Sequence, residues 1–384
     1  KDEIMVNAKY AIDHLHYLNP DTTLMYTDNR FRQTEVYASV ADMIELLHDW
    51  NLNVAVDYQY NTLFSTLEGF ADPIRHTLMT ALSSNYSIGG LSAQGSVMTT
   101  SVFDRSWSPR RDDGGPRTLY KRRRTAFTAG LFLNWQPLPD DAGFRVRGFY
   151  KRAFRMPTFN DLYYTDMGNA RLDPEYATQF DLGASLRREF TATVWRSLDL
   201  RLDGYHNRIT DKIIAVPKGN SQYRWMMMNI GKVRITGLDF NAEAMLEPVA
   251  ALEIGGKLAY TWQRALDYTD PTDNLDAAGT YKGQIAYIPE HSGAFTAYAN
   301  FKGWELNYSF IYVGQRWHNS SNIPENHEEP WYTHDMTLSY TLPLRHTTLR
   351  VTAELNNILD QQYEVILNYP MPGRNWRLGL SWDL

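Results

Sequence analysis

Residues Leu252–Gln263 read Leu-Glu-Ile-Gly-Gly-Lys-Leu-Ala-Tyr-Thr-Trp-Gln. Leu252, Ile254, Gly256, Leu258, Tyr260 and Trp262 take every second position, and Glu253, Gly255, Lys257, Ala259, Thr261 and Gln263 take the others. Successive side chains of a strand point to opposite faces, so this segment has one apolar and one polar face. The same period returns in Trp304, Leu306, Tyr308, Phe310 and Tyr312, in Leu349, Val351, Ala353 and Leu355, and in Trp376, Leu378, Leu380 and Trp382. Stripes of helical period are scarce, and the chain reads as all-β.

Working outward by that alternation gives about sixteen strands. They cover 4–17, 32–47, 52–65, 74–87, 90–104, 125–137, 143–155, 176–190, 194–210, 234–247, 251–265, 290–302, 304–316, 333–342, 347–357 and 374–384. The connections sort by parity. Segments 48–51, 88–89, 138–142, 191–193, 248–250, Gly303 and 343–346 are short, whereas 18–31, 105–124, 156–175, 211–233, 266–289, 317–332 and 358–373 are long and 66–73 is intermediate. A soluble sandwich or propeller has no reason to sort its loops this way. An outer-membrane barrel has one, because its periplasmic turns are short and its outer loops long. Each strand is also long enough to cross a bilayer at a tilt, which takes ~9 to 11 residues. The expected fold is an antiparallel transmembrane β-barrel.

Composition agrees. The 384 residues carry 38 Lys+Arg against 44 Asp+Glu, no Cys, and 25 Tyr beside 11 Trp and 16 Phe. Without Cys there is no disulfide scaffold, thiol nucleophile or Cys-ligated metal. A mean hydropathy of -0.46 does not oppose a membrane barrel, whose apolar band occupies alternate residues. No run approaches the ~18 to 20 apolar residues of a spanning helix. The start at Lys1-Asp2-Glu3 shows no leader, so a trimmed or partial sequence is expected.

Four ordered motifs then add specificity. Phe154-Arg155-Met156-Pro157-Thr158-Phe159-Asn160-Asp161-Leu162-Tyr163, with Gly168-Asn169-Ala170-Arg171-Leu172-Asp173-Pro174-Glu175, resembles a signature of TonB-dependent outer-membrane receptors. Asn229-Ile230-Gly231 with Ile235-Thr236-Gly237-Leu238-Asp239, Tyr287-Ile288-Pro289-Glu290-His291, and Asn356-Asn357-Ile358-Leu359-Asp360-Gln361-Gln362-Tyr363-Glu364 through Tyr369-Pro370-Met371-Pro372-Gly373-Arg374-Asn375-Trp376 resemble that family's later motifs. The resemblance covers at least residues 125–384. It implies a plugged barrel of ~22 strands in the bacterial outer membrane. The plug, the TonB box and about six strands are then expected upstream, and the whole of 1–384 forms one barrel domain. It further implies uptake of a chelated nutrient (ferric siderophore, haem or cobalamin) driven by TonB–ExbB–ExbD through the plug. Lipopolysaccharide and other outer-membrane lipid, a small metal-chelate ligand and a surface lipoprotein are the candidate partners. Neither a cofactor nor nucleic acid is expected. A passive porin and a non-transport outer-membrane binding protein are the alternatives.

Candidate ligand contacts lie in the long loops. Loop 105–124 holds Arg105, Arg110, Arg111, Arg117, Lys121, Arg122, Arg123 and Arg124 against Asp112 and Asp113, with Trp107 beside them. That charge suits an anionic ligand or lipopolysaccharide phosphate. Tyr163, Tyr164, Tyr223, Arg224, Trp225, Trp317, His318 and Trp331 complete the set. Rings with guanidinium groups suit a large planar chelate, and the same rings suit an interfacial girdle. His318 and His327 are candidate axial ligands to a metallated macrocycle. Asp267, Asp270, Asp273 and Asp276 lack the turn Gly and the closing Glu of a calcium loop. No nucleophile elbow, phosphate loop or His-Glu-x-x-His is present, so an enzyme is not expected.

Overall fold

The computed structural model describes residues 2–20, 27–108, 116–139, 142–164, 168–191, 193–217, 225–229, 231–273, 279–345 and 347–383. Sixteen strands form one antiparallel sheet in chain order. They are β1 (Asp2–Asn19), β2 (Thr27–Leu47), β3 (Trp50–Ser65), β4 (Ile74–Ile88), β5 (Leu91–Trp107), β6 (Leu119–Trp135), β7 (Phe144–Arg155), β8 (Glu175–Glu189) and β9 (Trp195–Thr210), then β12 (Val233–Val249), β13 (Leu252–Asp267), β14 (His291–Phe301), β15 (Trp304–Val313), β18 (Trp331–Pro343), β19 (Thr348–Asn356) and β22 (Asn375–Asp383). Three small hairpins sit in the long connections: β10 (Ile213–Pro217) with β11 (Trp225–Asn229), β16 (Arg316–Trp317) with β17 (His327–Glu328), and β20 (Glu364–Ile366) with β21 (Tyr369–Pro370). A five-residue helix, α1 (Phe159–Tyr163), follows β7.

Each strand read from the alternation is present. Register keeps like with like across the ladder: Leu258 faces Ala242 and Phe295, while Lys257 faces Glu243 and Thr296. A slip of one residue would turn the apolar row onto the polar face. Turns 48–49, 89–90, 250–251 and 302–303 close one end of the sheet, and connections 156–174, 211–232, 268–290, 314–330 and 357–374 cap the other. Parity is weakest at 136–143, on the short end, which matches 66–73 on the long end. In turn 302–303, Lys302 and Gly303 have φ of 48° and 87°, the left-handed pair that a two-residue hairpin needs. A Cβ on Gly303 would stand 2.8 Å from the Thr341 carbonyl oxygen.

The strands outrun their expected limits at the long-loop end. β5 continues through Arg105 to Trp107 and β6 begins at Leu119, so most of the basic run read as loop 105–124 is ladder. Polar residues fill both faces there, and the hydrophobic alternation that marks a strand vanishes. Among the described residues no helix is long and apolar enough to cross a membrane; that has no bearing on crossing by strands.

Residues group into two compact units. The first is Lys1–Leu133, Phe149–Gln179 and Ile209–Lys232; the second is Asn134–Gly148, Phe180–Arg208 and Val233–Leu384.

Candidate functional site

In the first unit, segment 156–174 is bound to the polar face of β4, β5 and β6. Asp104 on β5 accepts from Arg75 Nε at 2.7 Å, Arg75 Nη2 at 3.0 Å and Arg124 Nη1 at 2.7 Å. The side chains of Asp104 and Arg124 are 2% and 4% exposed. One carboxylate thus serves two buried guanidinium groups. Their remaining donors reach the segment: Arg75 Nη1 donates to the Pro157 carbonyl at 2.8 Å, and Arg124 Nε and Nη2 donate to that of Leu172 at 3.1 and 2.7 Å. Arg122 adds the Ala170 carbonyl and Asp173 Oδ1, at 2.9 and 2.6 Å. Charge-assisted bonds of this kind are short and costly to leave half made.

The segment's own sequence fixes the rest. Thr158 caps α1, its hydroxyl accepting from Asp161 N while Asp161 Oδ2 accepts from Thr158 N; this reciprocal box satisfies two first-turn donors. Arg155 holds Asp161 at 3.0 Å and approaches Glu175 at 3.6 Å. Leu162, Leu172 and Ile213 bury together, with Tyr163 and Met227 against them. Burial pushes the Tyr163 hydroxyl pKa up, partly offset by its hydrogen bond with Ser106. A Cβ on Gly168 would fall 2.7 Å from the backbone nitrogens of Tyr163 and Tyr164, so only glycine fits that approach. Asp173 N donates to Asn229 Oδ1, and Asn229 Nδ2 donates back to the Asp173 carbonyl at 2.8 Å.

The second unit ties three other connections together with neutral acceptors. Arg316, 3% exposed, donates to the carbonyl oxygens of Glu329, Glu364 and Val365. Burial lowers its pKa, with Glu328 and Tyr287 opposing that fall. Asn322 Nδ2 donates to the Gln284 carbonyl at 3.0 Å, and Tyr287 N donates to that of Trp317 at 2.7 Å. Asn357 Nδ2 donates to the carbonyls of Gln361 and Pro372, while Asn357 N donates to Asp335 Oδ1. Trp331 stacks on Tyr363 at 4.6 Å and 28°. Burial raises the Tyr363 pKa, helped by Asp335.

Ion pairs line the polar face beneath, among them Arg147–Asp203 at 2.5 Å and Arg350–Glu305 at 2.6 Å. Among the described residues no group of three His, Asp or Glu could hold a metal ion. The family model described as TonB dependent receptor-like, beta-barrel matches residues 6–358. This chain belongs to the TonB-dependent receptors.

The vitamin B12 transporter BtuB of Photobacterium profundum is 25% identical over 233 residues, covering 58% of this chain and 33% of that protein. BtuB of Vibrio cholerae is 26% identical over 264 residues, covering 67% and 37%. Among solved structures, the copper transporter OprC superposes with a TM-score of 0.70 at 15% identity, over 99% of this chain and 61% of that one. The ferric citrate transporter FecA gives 0.68 at 14%, over 99% and 59%. The chain therefore spans about a third of the curated relatives it matches and about three fifths of these structures. These TonB-dependent relatives are transporters rather than enzymes, and their place is the outer membrane.

Within this receptor domain the sequence-selected contacts fall in different settings. Tyr163 is packed into the loop core, whereas Tyr164 is 43% exposed. Tyr164 lines a cavity of about 520 Å³ with Asn160, Phe31, Leu63 and Leu67. Trp107 ends β5 half-buried, its amide donating to the Ala71 carbonyl. In the second unit Trp317 meets the His327 ring edge-on at 5.4 Å, and His318 Nδ1 lies 3.0 Å from Glu328 Oε1. The buried Trp331 Nε1 has no hydrogen-bond partner among the described residues. Trp225 opens β11 opposite Pro217. Arg110, Arg111, Tyr223 and Arg224 lie outside the described residues. The reading from sequence did not single out Arg75, Asp104 or Arg316. Parity was the available signal for Asp104, since Val102, Asp104, Ser106 and Arg124 all share the buried row.

Proposed function

We propose that this chain is the barrel portion of a receptor that takes up a scarce chelated nutrient, a ferric siderophore, haem or cobalamin. Transport in this reading is driven by TonB–ExbB–ExbD acting through a plug domain. The observation that supports it best is the pair of hydrogen-bonded loop clusters, which carry rings above a charged polar face. A passive pore needs only an open lumen and has little use for loops pinned by buried arginines. The cobalamin in the names of the curated relatives, and the copper and ferric citrate in those of the structures, supply the chelate class. Tyr164, Trp317, Trp331 and Trp225 are the rings proposed to meet the ligand first, with Trp107 and His318 beside them. Arg110, Arg111, Tyr223 and Arg224, which lie outside the described residues, complete the proposed surface.

The end strands support a larger barrel. β1 and β22 close the order of the sheet, and Trp376, Leu378, Leu380 and Trp382 are 64–73% exposed. Hydrocarbon tolerates no unpaired strand edge, so further strands are proposed beside both.

The test is uptake of radiolabelled cyanocobalamin, ferric citrate and haem at limiting concentration by cells expressing the full-length protein. Accumulation of one of them that disappears when TonB is deleted is the expected result. Uptake indifferent to TonB would make the protein a passive channel. Replacing Trp225, Trp317 and Trp331 together by Ala should reduce uptake at normal surface abundance; unchanged uptake would remove these rings from the site.

A further inference from the structure

The basic run at the top of β5 and β6 divides by parity into two populations. Arg122 and Arg124 point to the polar face and hold segment 156–174, as described above. Arg105, Lys121 and Arg123 alternate with them and are exposed on the opposite face. The register there is fixed by the Ser108 N to Thr118 O bond at 2.8 Å and by Ser101 and Thr125, whose hydroxyls meet at 3.3 Å. Arg105 and Lys121 are thereby cross-strand neighbours, as are Phe103 and Arg123. The Arg123 guanidinium lies over the Phe103 ring, 5.2 Å from its centroid. On the next strand Arg105 faces Ile74 and Phe103 faces His76.

Below these three cations the same face is apolar. Leu78, Leu82, Val97, Phe127, Leu131 and Leu133 are 40–55% exposed on it. In an outer-membrane barrel this is the lipid-facing row, and the cations stand where it meets the long-loop, external end. Among the described residues, the lipid-facing rows of β4, β5 and β6 contain no Asp or Glu. None of the three cations has an ion-pair partner among the described residues. A soluble nutrient captured above the polar face would not meet these side chains, which stand on the opposite face.

We propose that Arg105, Lys121 and Arg123 form a binding site for the phosphate groups of a phosphorylated glycolipid in the outer leaflet. Two guanidinium forks and one ammonium match phosphate oxygens. Phe103 holds the Arg123 guanidinium at the interface by cation–π contact. Acyl chains then lie along Phe127 and Leu131. The site is occupied from the membrane side, so it belongs to anchoring and is separate from nutrient capture.

The test uses protein purified from outer membranes in detergent, titrated with diphosphorylated lipid A, with the same lipid after enzymatic dephosphorylation, and with inorganic phosphate, and read by native mass spectrometry. The variant Arg105→Gln/Lys121→Gln/Arg123→Gln is compared with Arg188→Gln/Lys302→Gln/Arg345→Gln, which removes equal charge elsewhere. The first should lose roughly fivefold in affinity for the phosphorylated lipid per cation removed, and the second should match the parent. Dephosphorylated lipid should bind all three proteins alike and weakly. Equal binding of phosphorylated lipid to parent and first variant overturns the proposal. So does competition by inorganic phosphate at concentrations equal to the lipid, which would mark a free-anion site. Arg105→Lys/Arg123→Lys keeps the charge and should retain binding; single Arg123→Gln provides the same comparison should the triple variant fail to fold.

Discussion

The two loop clusters are pinned by opposite chemistry. Segment 156–174 is held by arginines that depend on charge: Arg75 and Arg124, which donate to its carbonyls, share the buried Asp104, and Arg122 takes Asp173 at the surface. The connections 268–290, 314–330 and 357–374 are held by neutral acceptors, with Arg316 on three carbonyls and Asn322 and Asn357 on backbone groups. In the first cluster each charge relies on another charge, and removing one strands its partner. In the second, a lost side chain leaves neutral carbonyls without a donor but strands no charge. Equal-looking hydrogen-bond counts therefore conceal unequal fragility.

Asp104→Asn breaks that symmetry most strongly. It leaves two guanidinium groups buried with no anion, at a cost of roughly 3–5 kcal/mol. Thermal unfolding in detergent should fall, and limited proteolysis should cut within 156–174 first. An unchanged melting temperature with an uncut segment would show that the cluster does not depend on this charge. Arg316→Gln should be milder, about 1–3 kcal/mol, the range for leaving buried acceptors unmade. Its signature is local: hydrogen exchange should quicken in 314–330 and 357–374 and stay unchanged in 156–174. Exchange spreading equally to both clusters would contradict their separateness.

The smallest effect concerns acid. The Thr272 hydroxyl and amide hold the Asp270 carboxyl below its ordinary value. A carboxylate with a depressed folded pKa contributes stability above its unfolded value and loses that contribution as pH falls through the folded one. Protection of the Thr272 amide should hold at neutral pH and decline only below the ordinary carboxylate range. A decline already complete near neutrality would deny the depressed pKa.

The sheet was legible in sequence because lipid and lumen sort residues by a period of two, and Leu252–Trp262 shows that as plainly as any helix stripe. It stopped being legible at Arg105 and Lys121–Arg124, where both faces are polar and a strand resembles a loop. The helix at Phe159–Tyr163 was too short to carry a period. Tyr163 shows the matching limit for the site. A tyrosine in an outer loop reads as a ring on offer, yet its side chain is packed against Leu162 and Ile213. Motif residues such as Asn229 and Asp173 were visible as signatures, but their pairing across the fold was not, because nothing in either motif names its partner.

That pairing has a consequence for the order of assembly. Along the wall each strand meets its chain neighbour, so hairpins can be added one after another with little loop entropy to overcome. The Asp173–Asn229 bonds span 56 residues and the Arg75–Pro157 bond 82. Segment 156–174 cannot settle until β4 through β6 stand on one side and β11 has been laid down on the other. The clamp is thus a late event, and a receptor stalled between wall and clamp would present an inserted sheet with its external mouth still undone.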